Sequence, residues 1–184
     1  NAMYFEINPT KGFFFEKESV EINSRQLTLN DSPLEGQASY EVYELSDEAV
    51  EYDMNNYGSW QNVPVLQEQL KDVKNGSMAV SGKVDFDKDG NGTIQLKSLK
   101  NGTYRLVLKA KDSWAEEVKQ DTIFVVAKDA KTAVALGAYS VTIPEKEEYE
   151  VGETSRFLIG SALGAGKYFY EIWTGEYLQQ KKYI

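Results

Sequence analysis

At 184 residues with a hydrophobic fraction of 41%, the chain has room for one large domain or two small ones and is too apolar to stay disordered. Its formal charge of −9, from 29 acidic and 20 basic residues, with no basic cluster beyond Lys181-Lys182, argues against nucleic acid, whose phosphates attract clustered Lys and Arg. Without cysteine or histidine, the chain can build no disulfide, no thiolate or imidazole metal site and no Ser-His-Asp triad, so paired carboxylates or a Ser–Lys arrangement remain, neither with a local signature here.

In chain order, Asn1-Ala2-Met3 reads as a tag remnant and an inserted start Met, leaving any native leader outside the sequence. Period-two alternation then dominates, the mark of strands whose successive side chains face opposite ways. Ala38, Tyr40 and Val42 share one face of a strand over 38–44, with Ser39 and Glu41 opposite. The stretch 46–76 is the least patterned and reads as a long strand connection. Inside it, Leu66, Leu70 and Val73 fall at helical spacing and predict one or two helical turns over 64–73. Val80, Val84 and Phe86 suggest the next strand, Ile94 and Leu96 another. From Thr103 to Ala110, Tyr104, Leu106, Leu108 and Ala110 line one face, while Thr103, Arg105 and Lys109 face away. Ile123-Phe124-Val125-Val126 is a strongly apolar strand, far short of the ~20 apolar residues of a membrane span. A stretch without bulky residues follows near 127–138, and alternation restarts at Tyr139 and returns with Phe169, Tyr170, Ile172 and Trp173. Turn signals at Asn75-Gly76, Asp89-Gly90, Asn91-Gly92 and Asn101-Gly102 punctuate the strands. Many short strands between such turns predict an all-β fold of two tandem immunoglobulin- or fibronectin-like antiparallel sandwiches, over 4–131 and 132–184. The second is too short for a complete core and reads as truncated.

The sharpest local motif is Asp87-Lys88-Asp89-Gly90-Asn91-Gly92-Thr93-Ile94, which fits the opening of a calcium loop with oxygens at alternate positions, Asp85 adding a carboxylate upstream. The twelfth position, where a bidentate Glu belongs, is Ser98, and the flanks read as strands. A polar hairpin turn is therefore the stronger reading of Asp85, Asp87, Asp89 and Asn91. The run Glu145-Lys146-Glu147-Glu148 reads as a solvated turn. Among the aromatics, which mostly suit a sandwich core, Tyr57 and Trp60 in the long connection are the best placed for an exposed binding surface.

Three features in order resemble the macroglobulin domains of bacterial α2-macroglobulins. They are Leu34-Glu35-Gly36-Gln37-Ala38 leading into a strand; Asp89-Gly90-Asn91-Gly92 followed by Ile94-Gln95-Leu96, Asn101-Gly102-Thr103-Tyr104-Arg105-Leu106 and Ala110-Lys111-Asp112; and Tyr149-Glu150-Val151-Gly152-Glu153-Thr154. After Asp112 the family usually shows a Gly, where this chain has Ser113-Trp114-Ala115. The resemblance implies a non-catalytic structural module of a protease-trapping (endopeptidase-inhibiting) envelope protein, exported to the periplasm or anchored at the outer membrane. Its partners would be neighbouring domains of the parent chain, with proteases as targets of the whole protein. No cofactor is implied, and the family's Cys–Gln thioester has no Cys here. The competing expectation is an immunoglobulin-like adhesin or carbohydrate-binding module. A glycosidase would need two acids ~5–10 Å apart across a cleft, and no pair stands out.

Overall fold

The computed structural model of the protein describes residues 2–48, 65–129, 134, 136–162 and 169–183. Eight strands build the first module: β1 (Met3–Pro9), β2 (Phe13–Phe15), β3 (Val20–Thr28), β4 (Gly36–Leu45), β5 (Asn75–Phe86), β6 (Asn91–Leu96), β7 (Gly102–Lys111) and β8 (Glu117–Ala127), with the short helix α1 (Leu66–Leu70) between β4 and β5. They form a three-stranded sheet, β1-β3-β6, and a five-stranded one, β2-β8-β7-β4-β5. All pairings are antiparallel except β2 with β8, which run parallel. The chain therefore starts in one sheet and crosses to the other within its first strands. Beyond them, β9 (Val141–Pro144) pairs β10 (Phe157–Gly160), and β11 (Phe169–Thr174) pairs β12 (Tyr177–Tyr183). This is an all-β sandwich, and among the described residues no helix is long and apolar enough to cross a membrane.

Alternation explains the core. Phe5, Val20, Ile22, Ala38, Val42, Ile94, Leu96, Tyr104, Leu106, Leu108, Phe124 and Val126 bury between the two sheets. Side chains of the opposite parity on β8, Ile123 and Val125, bury instead on the outer face of the larger sheet. Phe14 likewise joins the inner core while Phe13 and Phe15 pack outward. A strand covered on both faces needs no polar side, which is why 123–126 reads as one apolar run.

The turns differ from expectation in register. Asn75-Gly76 and Asn91-Gly92 open strands β5 and β6, and Gly102 opens β7, so none of the three is itself the tight turn. The β5–β6 reversal is made at Gly90, whose φ is +72° and where a Cβ would stand 2.6 Å from the Gln26 carbonyl oxygen. Gly92 is required by packing, since a Cβ there would meet Val84 at 2.9 Å and Phe86 at 3.0 Å. Where the macroglobulin pattern has Gly after Asp112, Ala115 takes φ +64°, a left-handed conformation that costs a non-glycine residue roughly 1 kcal/mol. The buried Asp112 carboxylate anchors that turn by accepting the N–H groups of Trp114 (2.9 Å) and Glu116 (3.0 Å), with Ala2 N–H at 3.0 Å on its other oxygen. Burial pushes its pKa up, and these three donors outweigh that and hold it below the usual carboxylate range.

Candidate functional site

The outer face of the larger sheet divides in two. Near β5 and the first half of β8 it is polar: Lys109 bonds Glu41, and Lys119 lies 2.6 Å from Glu117. That bond holds the Glu41 carboxyl below its ordinary range and Lys109 above its own, so both stay charged at neutral pH. The other half is apolar and covered. Leu66 and Leu70 of α1, with Leu136, Ala138 and Val141 from the segment entering β9, close over Phe13, Leu45, Ile123 and Val125.

Helix α1 is a single turn, and three polar side chains fix it. Arg105, on the outward face of β7, reaches under the helix to the carbonyls at its C-terminal end. Its Nη2 donates to Leu70 O (2.6 Å) and Lys71 O (3.0 Å), its Nη1 to Val73 O (2.7 Å) and Asn75 Oδ1 (2.8 Å). Asp121 stands 3.2 Å from Nε and balances the charge. A guanidinium offers five donors in a rigid fork, which suits a fan of carbonyls. Gln67 and Gln69, two apart on the helix, necessarily face different ways. Gln67 donates to Ile123 O (2.7 Å) and accepts Ile123 N–H (2.9 Å), standing in for a strand at the β8 edge. Gln69 accepts Tyr139 N–H (2.8 Å) and donates to Ser140 O (2.7 Å). One helical turn thus bolts the 139–140 segment to the sandwich.

A second fastening lies at the β1–β2 turn. Gly12 N–H donates to Glu145 O at 2.9 Å, and Glu145 N–H to Arg156 O at 2.9 Å. The Glu145 side chain is buried between Lys11 (3.4 Å) and Arg156 (3.1 Å), and Lys11 also reaches Glu18 at 3.0 Å. This corrects the expectation of a wholly solvated turn at 145–148: Glu145 is enclosed because two cations from different elements converge on it. A Cβ on Gly12 would overlap the Pro144 carbonyl oxygen and meet Ile143 Cγ2 at 2.9 Å, so the two backbones touch there. Beside this contact runs a cleft of about 1190 Å3, with Lys11, Gln67, Ile123, Thr142, Glu147 and Glu148 among its walls.

Of the residues singled out in the sequence, Tyr57 and Trp60 lie outside the described residues. Asp85 accepts from Gln37 Nε2 at 2.7 Å on the open face of β5. Asp87 closes the β5–β6 turn, its Oδ1 accepting the N–H groups of Asp89 and Asn91, both at 2.9 Å. Among the described residues no three Asp or Glu carboxylates gather as a metal cage would require. The local geometry is that of an Asx turn, so Asp87→Ala is expected to cost about 1 kcal/mol, while Asp87→Asn retains most of it. Calorimetry with millimolar calcium should show no heat; a heat abolished by Asp87→Ala and Asp89→Ala would establish a calcium site instead. Trp114 and Trp173 are exposed rather than in the core. Nothing in the sequence pattern marks Gly12, Gln67 and Gln69 as junction residues, and Glu145 stands there only as part of a charge run. Gln67 and Gln69 on a predicted helix, beside Leu66 and Leu70, were the signal available.

No family model and no curated protein matches the chain. Among solved structures it aligns over 100% of its length with native-conformation α2-macroglobulin of E. coli, at 9% identity and a TM-score of 0.48. With the trypsin-activated form of E. coli α2-macroglobulin it shares 8% identity at a TM-score of 0.47. With a Salmonella α2-macroglobulin reacted with methylamine it shares 11% at 0.45. The chain spans only 14%, 14% and 13% of those three chains.

Proposed function

We propose that the chain is a non-catalytic structural module of a large, exported, protease-trapping bacterial protein of the α2-macroglobulin type, and that its task is to hold successive sandwiches in a fixed relation. The carrying observation is the junction: an apolar seal, two glutamine clasps and a backbone-to-backbone contact at Gly12 join the first sandwich to the strands that follow. A flexible tether between independent binding modules needs none of these. The motifs around Gly36, Gly102 and Gly152 resemble those of that family and support the reading.

The exposed aromatics fit the same reading. Phe169, Ile172, Trp173, Tyr177, Leu178 and Tyr183 stand exposed on a hairpin that pairs only with itself among the described residues. A two-stranded ribbon is marginal in water, so in the parent chain neighbouring domains would cover it. Proteases would be partners of the whole protein, in the periplasm or at the outer membrane.

The test uses the parent protein in excess over a serine protease. Trapping should leave activity on a small chromogenic substrate while abolishing cleavage of a large protein substrate. Loss on both substrates, or on neither, would count against it.

A further inference from the structure

The sequence holds three Asn-Gly pairs, beginning at Asn75, Asn91 and Asn101. In such a pair the glycine nitrogen can close on the asparagine Cγ, because the glycine carries no Cβ to obstruct the approach. Closure requires that nitrogen to give up its proton and the asparagine to turn about its own backbone. A regular, fully bonded ladder prevents both, and the fold separates the three pairs on this ground.

Residues opposed in an antiparallel ladder alternate between bonded and non-bonded pairs. Gln26 N–H donates to Gly90 O at 2.8 Å, and two residues along each strand Ser24 and Gly92 stand opposite each other in the same phase. The Gly92 N–H is therefore committed to Ser24, and Gly92 is buried. Asp87 grips both backbone groups of Asn91, its Oδ1 accepting the N–H at 2.9 Å and its own N–H donating to the carbonyl at 3.0 Å. On β7, Asp112 N–H donates to Glu116 O at 2.9 Å, and the same phase carried along the β7–β8 register commits Gly102 N–H to Val126. β7 lies between β8 and β4, and Asn101 N–H donates to Glu16 Oε1 at 2.7 Å.

Asn75 and Gly76 differ on each count. They open β5, the edge strand of the larger sheet, which pairs only with β4. The register slips between Tyr43 and Leu45, the stretch of β4 that faces them. Both residues are exposed, as are the three that follow. Asn75 Oδ1 accepts from Arg105 Nη1 at 2.8 Å, while among the described residues Nδ2, the nitrogen that must leave, has no partner. A cation on the carbonyl oxygen draws electrons from Cγ and stands where negative charge gathers when a nucleophile adds there.

We propose that Asn75-Gly76 is a site of self-modification, where Asn75 converts in water to a mixture of aspartate and isoaspartate while Asn91 and Asn101 persist. The Gly76 nitrogen loses its proton and bonds Asn75 Cγ. The Cγ–Nδ2 bond breaks, and Nδ2 leaves with that proton as ammonia, so a cyclic imide remains. Water then adds to one of the two imide carbonyls and opens the ring. Opening at Cγ gives aspartate; opening at the main-chain carbonyl gives isoaspartate, whose main chain runs through Cβ and Cγ. No oxidant or reductant enters. The second product lengthens the main chain by a methylene between α1 and β5 and displaces the oxygen that Arg105 grasps.

The test holds the intact chain at mildly alkaline pH in heavy-oxygen water and follows its peptides by mass spectrometry. The peptide with Asn75 should lose ammonia and take up labelled oxygen at least tenfold faster than those with Asn91 and Asn101. Fragmentation across the Cα–Cβ bond should show isoaspartate beside aspartate. In urea the three should convert at similar rates, because the ladders that protect Asn91 and Asn101 are gone. Gly76→Ala should slow conversion at least tenfold. Asn75→Gln, which leaves Gly76 in place and can close only a larger ring, should abolish the signal and serves even if Gly76→Ala folds poorly. Equal rates at the three asparagines of the folded chain, faster conversion at Asn91 or Asn101, aspartate without isoaspartate, undiminished conversion in a folded Gly76→Ala, or no conversion at Asn75 would each overturn the proposal.

Discussion

Arg105→Met is expected to lower the unfolding free energy by about 2–4 kcal/mol, the range for removing a buried cation that satisfies several acceptors. The substitution keeps the length and most of the apolar stem of the side chain, so packing changes little. What disappears are the guanidinium's bonds to the carbonyls of Leu70, Lys71 and Val73, together with the partner of Asp121. A single helical turn cannot sustain itself, because nucleation is unfavourable and only tertiary contacts offset it. Helix α1 should therefore loosen, releasing Gln69 from Tyr139 and Ser140. Arg105→Lys should recover only part of the loss, since an ammonium at the end of a flexible stem cannot span the same fan. Urea midpoints give the stability, and amide exchange at Tyr139 reports the clasp. A loss under about 1 kcal/mol with Tyr139 still protected would mean that α1 is held by its leucines alone.

That dependence shows where sequence reading succeeds. Strands β4 and β7 are legible because one face of each packs in the core and the other carries mostly polar side chains, Thr103 and Arg105 included although both are buried, so alternation survives in Ala38, Tyr40 and Val42 and in Tyr104, Leu106 and Leu108. The opening strands are not. β3 carries Ser24 and Gln26 on its inward face, both buried, and this breaks the alternation. Phe13-Phe14-Phe15 shows none because the two faces of β2 are buried in different clusters. The Asn-Gly pairs mark turns only approximately. Glycine at 92 is fixed by its distance to Val84 and Phe86, a long-range contact invisible to local pattern.

The junction was the less legible part. Arg105 sits at an outward position of an exposed-looking strand, and only the helix that crosses above it turns that position into an interior. Glu145 lies in a charge run of the kind that normally faces water, and its burial depends on Lys11 and Arg156, 134 and 11 residues away in sequence respectively. Leu66 and Leu70, by contrast, announced a helix through spacing alone. The apolar seal could thus be foreseen, whereas the polar fastenings, which decide where the seal sits, could not.

Gly12→Val should part the β1–β2 turn from β9 while the first sandwich stays folded. Gly12 is not among the glycines with positive φ, so the backbone itself accepts a side chain. The obstacle is Pro144, whose carbonyl oxygen occupies the place of the new Cβ, with Ile143 Cγ2 2.9 Å from it. Backbone cannot give way as a side-chain tip can, and overpacking of this kind costs about 1–3 kcal/mol. The cheaper response is separation of the two segments. That breaks the Gly12 N–H bond to Glu145 and draws Lys11 away, leaving the buried Glu145 to Arg156 alone. Amide exchange should accelerate at least tenfold at Gly12 and Glu145, with Leu106 and Phe124 in the sandwich core unchanged. Gly102→Ala is the control, because a Cβ there meets nothing closer than 3.6 Å. The clasp at Gln69 is independent of the turn, so Tyr139 should keep its protection, and the strands beyond should pivot about residues 139–140 instead of detaching. If Gly12→Val leaves Glu145 as protected as before, the turn is a bystander and the fixed relation between the modules rests on α1. If Tyr139 is lost together with Glu145, the two fastenings are one cooperative unit, and a rearrangement at either end of the junction would be transmitted to the other.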